Sequence, residues 1–145
     1  MKISIGSDHG GFQLKKQIID YLQKKNIEII DVGCHNEDSV DYPDYGYKAA
    51  HEVSTKHADY GIAICKSGIG MSMVANKVKD VRAALCINST MAKMSRLHNN
   101  ANMLVLGASH VDLAQAQEII NIWLETEFEG GRHEGRVKKI HKNEL

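Results

Sequence analysis

A chain of 145 residues is the length of one ordinary domain and buries roughly two-thirds of the surface its unfolded form exposes, so one domain spanning residues 1–145 is expected. Eighteen basic residues balance eighteen acidic ones and the pI is near 7.1, which argues against the basic face of a dedicated nucleic-acid binder. With 43% hydrophobic residues and no apolar stretch of membrane-spanning length, the composition is that of a soluble globular protein.

The first segment, MKISIGSDHGG, carries a short alternating apolar run and then charge, so it lacks the apolar core of a signal peptide. Lys2 to Ser7 reads as a strand, and Gln13 to Lys25 as a helix with Leu14, Ile18 and Leu22 on one face. Ile27 to Val32 reads as a second strand. A polar loop holding Pro43, the only proline, leads to a helix from about Asp44 to Lys56 with Tyr45, Ala49 and Val53 on one stripe. Tyr60 to Cys65 (strand), Ile69 to Val78 (helix) and Arg82 to Ile87 (strand) follow. A helix capped by Asn88 or Ser89 ends near His98 to Asn100. Asn102 to Leu106 reads as the fifth strand, and Val111 to Glu127 as a long helix turning Leu113, Gln117, Ile120 and Trp123 or Leu124 inward. The remainder, residues 129–145, is a basic tail in which Gly130, Gly131 and Gly135 interleave with Arg132, His133, Arg136, Lys138 and Lys139. Strands and helices that alternate in this way, with crossovers this long, predict an α/β fold: a five-stranded parallel sheet covered by helices on both faces.

Three cysteines, Cys34, Cys65 and Cys86, at irregular spacing without an export signal fit free thiols in a reducing, cytoplasmic setting. No pair has CxxC spacing and the eight histidines form no HExxH-type set, so no metal site and no cofactor are expected.

Ligands of an open parallel sheet bind outside the carboxyl ends of its strands. The first such end runs into Asp8, His9, Gly10 and Gly11, and the third into Cys65, Lys66, Ser67, Gly68, Ile69 and Gly70. Neither is a nucleotide loop. Counting from Gly61 puts Lys66 where a Walker loop has its second glycine, and Met73 stands where a dinucleotide fingerprint has its third. What remains is a concavity of backbone N–H groups suited to a phosphate or a developing oxyanion. Cys65 at its rim is a buried strand cysteine or a base placed beside Lys66, and Asp8 is a helix cap or a catalytic carboxylate; the residues alone leave both pairs open. Arg132 and Arg136, four apart, are a solvated basic tail or, on a helix, a double guanidinium fork for phosphate. His98 ends its helix, where the dipole favours positive charge. A helix of eleven residues is about 16 Å long, so His98 lies at the sheet edge opposite Cys65, and a site using both needs two chains.

SDHGG at the first strand, DYPDY at 41–45, CKSGIGMSMVANK at 65–77, RLHNNANML at 96–104 and FEGGRHEGRV at 128–137 together resemble the type B ribose-5-phosphate isomerases, a family shared with galactose-6-phosphate isomerase subunits. The resemblance covers essentially the whole chain. It implies a Rossmann-like three-layer α/β/α fold, no metal or nucleotide, a sugar phosphate as ligand, and a homodimer or tetramer whose sites are built from two chains, the basic tail reaching the partner. By the same resemblance Cys65 moves the proton between carbons 1 and 2, supported by Ser67. His98 opens the sugar ring with help from Asp8. The N–H groups from Lys66 through Gly68 and Ile69 to Gly70 steady the enediolate, and Tyr42 and Asn99 meet the sugar. His9, Arg132 and Arg136 hold the phosphate. Met71 occupies the place where a subfamily has a glutamate base. Lys66 and Ser109 replace a glycine and an arginine common in the family. Six-carbon aldose 6-phosphates, or a silent sugar-phosphate sensor on the same fold, are the alternatives.

Overall fold

The computed structural model describes residues 1–144. Strands β1 (Lys2–Ser7), β2 (Glu28–Gly33), β3 (Tyr60–Cys65), β4 (Ala83–Leu85) and β5 (Met103–Gly107) form one sheet in the order β2-β1-β3-β5-β4, with every pairing parallel. Helices α1 (Phe12–Lys24), α2 (Tyr42–Ser54), α3 (Ile69–Ala75), α4 (Ser89–Asn99) and α5 (Leu113–Glu125) alternate with them, and α6 (Arg132–His141) follows. The expected five-stranded α/β architecture is present.

Side chains alternate across a strand, and here both faces are buried, which explains the nearly continuous apolar runs. Ile3, Ile5, Ile62, Ile64, Leu104 and Leu106 face a core shared with Ile18, Leu22, Ala92, Ile119, Ile120 and Trp123 of α1, α4 and α5. Ala63, Cys65, Met103 and Val105 face the other core, against Ala49, Ala50, Val53, Met71 and Ala75 of α2 and α3. No helix among the described residues is long and apolar enough to cross a membrane.

Several elements differ from their expected bounds. Helix α2 starts at Tyr42 and takes Pro43 into its first turn, where the missing N–H costs nothing. Helix α5 buries Ile120 and Trp123 as expected, with Ala116 and Ile119 in place of Leu113 and Gln117. Trp123 decides this rotation: it is fully buried with Nε1 donating to Ser95 Oγ at 3.2 Å, and the positions three, four and seven before it share its face. Strand β4 and helix α3 are each shorter than expected. The Asn76 side chain ends α3 by bonding to the backbone N–H and C=O of Ala83, which also occupies the outer edge of β4. Within the basic tail, Arg132–His141 forms a helix, which puts Arg132 and Arg136 one turn apart. His133 and Val137 supply the buried face of α6, and Arg132 and Arg136 project from its exposed side.

One buried charge has no counterpart in the sequence pattern. Lys15 on α1 is 1% exposed, with Nζ 2.5 Å from Asp31 Oδ1 on β2. The same carboxylate oxygen accepts the Gly33 N–H at 2.9 Å, so the pair fixes the end of β2. Asp31→Ala leaves the Lys15 ammonium buried without its partner, whereas Lys15→Met leaves Asp31, whose side chain is 35% exposed, within reach of water. Asp31→Ala is therefore expected to lower stability by about 2–3 kcal/mol, and Lys15→Met by less than about 1 kcal/mol, in urea unfolding.

Candidate active site

Strand β1 pairs with β2 on one side and β3 on the other, so chain order reverses between β1 and β3, where an open sheet leaves a crevice at its carboxyl edge. The two strand ends are tied together there: the Asp8 N–H donates to Ile64 O at 3.3 Å. Asp8 Oδ1 then accepts the Gly11 N–H at 3.1 Å and caps a single 3-10 turn, His9–Gly11. His9 is exposed, and its Nδ1 accepts the Val40 N–H at 3.2 Å. That bond assigns the ring proton of the neutral form to Nε2.

The segment after β3 is held from both sides. Cys65 O and Lys66 O accept the N–H groups of Ala108 and Ser109, both at 2.9 Å, fastening the loop to the end of β5. Gly68 has φ +80, and a Cβ there would lie 2.5 Å from Leu85 Cδ1, so no other residue fits without displacement. This turn brings the Gly68 N–H to 3.1 Å from Cys65 Sγ and the Ile69 N–H to 3.2 Å from Ser67 Oγ. The first internal bond of α3 is Ser72 N–H to Gly68 O, which leaves the Gly70 and Met71 N–H groups without an intrahelical partner.

Asp8, Tyr42, Cys65, Lys66, Ser67, Ile69, Gly70 and Met73 line one cavity of about 410 Å³. The Tyr42 ring lies so close over Gly70 that a Cβ there would be 2.5 Å from it. Lys66 is exposed, and its Cβ lies about van der Waals distance from the space above Gly10. Seven of the anticipated residues thus meet in one place. Met73, one turn after Ile69 on α3, was not anticipated; its i, i+4 spacing from Ile69 was the available signal.

His98, Asn99, Arg132 and Arg136 do not join them in this chain. Asn99 lines a separate cavity with Arg82 and Ile140. The turn after α4 brings Asn102 O to the N–H of Gly61, the residue paired with Met103, whereas Cys65 pairs with Gly107 four positions on. The two groups are therefore separated by the length of β3, about 13 Å. Arg96 fixes the His98 end. Its guanidinium lies over Tyr60 (5.0 Å) and Trp123 (5.4 Å) and donates to Ala101 O, Asn100 Oδ1, Thr126 O and Tyr60 OH. Asn100 ends α4 in the left-handed conformation, and the Glu129 N–H donates to Leu97 O at 3.0 Å. The Glu129 carboxylate in turn lies 3.8 Å from His98 Nε2 and 3.7 Å from His133 Nε2.

This fold and these motifs have close counterparts. A model of the ribose/galactose isomerase family matches residues 3–140, and the chain belongs to that family. It is 54% identical to a ribose-5-phosphate isomerase B structure from Clostridium thermocellum, with TM-score 0.97 over 98% of this chain and 96% of that one. It is 41% identical to ribose-5-phosphate isomerase B of Escherichia coli over 96% of this chain and 93% of the relative. A Mycoplasma genitalium ribose-5-phosphate isomerase B, 40% identical with TM-score 0.93 over 97% and 94% of the two chains, was solved with bound ribulose 5-phosphate.

The three cysteines are unequal. Burial pushes the Cys86 thiol up to about 11, against a smaller opposing effect from Ser95. Cys34 is also buried, its Sγ near Asn36 O at 3.3 Å. Only Cys65 lines the cavity. Iodoacetamide at about pH 8 is expected to modify Cys65 at least about tenfold faster than Cys34 or Cys86, as read by peptide mass spectrometry.

Proposed function

We propose that this protein interconverts D-ribose 5-phosphate and D-ribulose 5-phosphate through a cis-enediolate, with Cys65 as the proton carrier. The observation that carries this reading is the placement of the Cys65 sulfur on the cavity wall, 3.1 Å from the Gly68 N–H, beside Asp8 and Tyr42. An N–H donated to sulfur stabilises the thiolate that the reaction requires.

The furanose opens first: His98 gives a proton to the ring oxygen as the C1–O4 bond breaks, and Asp8 assists removal of the anomeric hydroxyl proton. The Cys65 thiolate then takes the proton from C2 of the open aldehyde, and charge moves onto the C1 oxygen. The thiol returns its proton to C1 while the hydroxyl proton of C2 passes to the C1 oxygen, leaving the ketone at C2. Every step is a proton transfer within one substrate, so neither electrons nor a cofactor enter. The oxyanion is steadied by the loop N–H groups from Lys66 to Gly70, of which those of Ser67 and Gly70 face no partner within the turn, and Ser67 supports the sulfur. Lys66 adds positive charge at the cavity rim. Tyr42 and Asn99 bound the sugar, and His9, Arg132 and Arg136 take the phosphate.

His98, Asn99, Arg132 and Arg136 lie at the far edge from Cys65, and a homodimer that sets this edge against a partner's cavity reconciles the two halves. In that assembly residues 1–145 act as one sugar-phosphate isomerase domain whose C-terminal segment reaches the partner subunit. The reduced thiols suit a cytoplasmic enzyme.

Cys65→Ala is expected to lower kcat on ribose 5-phosphate by at least about 10²-fold, the usual contribution of a positioned base; near-normal turnover overturns its role. Arg136→Ala is expected to raise KM for ribose 5-phosphate by about tenfold or more, as loss of one charged phosphate contact implies; an unchanged kcat/KM removes it from the phosphate site. The wild-type ratio of kcat/KM on ribose 5-phosphate to that on allose 6-phosphate or galactose 6-phosphate tests the substrate. A preference for a six-carbon sugar, or ligand binding without turnover on any of them, rejects the pentose assignment.

A further inference from the structure

The side chains of His98, Glu129 and His133 form a cluster that the reaction above uses only in part. The His98 and His133 rings stack with centroids 4.3 Å apart and planes 18° from parallel. The Glu129 carboxylate reaches across both, 3.8 Å from His98 Nε2 and 3.7 Å from His133 Nε2. His133 is 6% exposed, and its Nε2 is buried without a hydrogen-bond partner.

These donor atoms gather within 4.8 Å, close enough to suggest a metal site. The ring geometry does not fit one. An imidazole lone pair lies in its ring plane, so two nearly parallel, stacked rings do not aim at a common ion. The arrangement instead resembles a carboxylate that orients an imidazole, with a second ring holding the plane of the first.

Resting on the assignment of His98 to ring opening, we propose that Glu129 and His133 are positioning residues for His98, acting on ring opening and not on the enediolate step. Glu129 is anchored to the same helix end as His98, because its N–H donates to Leu97 O at 3.0 Å. Its carboxylate faces one nitrogen of His98 and stabilises the protonated ring, leaving the other nitrogen for the sugar. His133 is fixed by the packing of α6 and supplies a flat surface against which the His98 ring cannot turn over. Burial, with Arg132 and His98 beside it, holds the His133 imidazole below its usual range.

The two directions of the reaction separate the two steps. Ribose 5-phosphate enters as a furanose and needs ring opening. Ribulose 5-phosphate is acyclic because its O5 is esterified, and the open aldehyde it forms can leave and close in solution. The test measures both directions for the wild-type protein, Glu129→Gln, His133→Phe and, as a reference, His98→Gln. Glu129→Gln and His133→Phe are expected to lower kcat on ribose 5-phosphate by about tenfold, the scale of losing a group that orients a histidine, with KM and consumption of ribulose 5-phosphate changed less than about twofold. His98→Gln shows the same imbalance, more strongly. Equal losses in both directions, or no loss, for Glu129→Gln overturn the proposal; Glu129 is about half-exposed, so this variant folds even if His133→Phe does not. Absence of isomerisation by the wild-type protein instead rejects the underlying assignment of function.

Discussion

The site depends on how closely the ends of β1 and β3 approach. The turn after β1 lies so near β3 that a Cβ on Gly11 would be 2.6 Å from Ile64 O. Only hydrogen can occupy that gap, and the approach lets Asp8 bond to β3 while its carboxylate stays at the cavity. From the other side, the end of β5 presses on the same loop, and a Cβ on Gly107 would meet Ser67 O at 2.5 Å. The loop carrying Cys65 is thus held between two backbone surfaces. Its N–H groups are pointed before any ligand arrives, which is what makes such donors effective toward a developing charge.

Cation placement follows a different logic. Lys15 and Arg96 are buried and satisfied, the first by Asp31 and the second by carbonyls and two aromatic faces. They hold the framework at the end of β2 and at the end of α4. Arg132 and Arg136 are exposed on α6 and free to meet an anion from outside the chain. Arg96 has a further consequence, because it fixes the helix end on which His98 and the backbone of Glu129 both sit. The edge that carries His98 is therefore built on a buried cation rather than on a second apolar core.

Much of this was legible in the sequence because strands and amphipathic helices declare themselves by period. The apolar runs ending at Ser7 and Cys65, the glycines at 68 and 70, and the asparagines after His98 placed both candidate groups at the correct ends of their elements. The inference that His98 cannot reach Cys65 within one chain needed only helix length. Periodicity failed where one residue overrode the average pattern. Trp123 set the rotation of α5, Pro43 was absorbed into α2, and Asn76 replaced the last turn of α3. Basic composition concealed α6, since two buried positions, His133 and Val137, are too few to register as an apolar stripe.

The sequence by itself determined the parallel α/β architecture, the loop after β3 as a candidate site, and the family, because these follow from local period and from residues adjacent in the chain. Tertiary structure decided what distant residues do to one another. The cavity that joins Tyr42 to Cys65, the burial of Lys15 against Asp31, and the stacking of His98 on His133 under Glu129 all depend on distances between segments far apart in the chain. Such distances are set by packing of the whole core, and no local pattern encodes them.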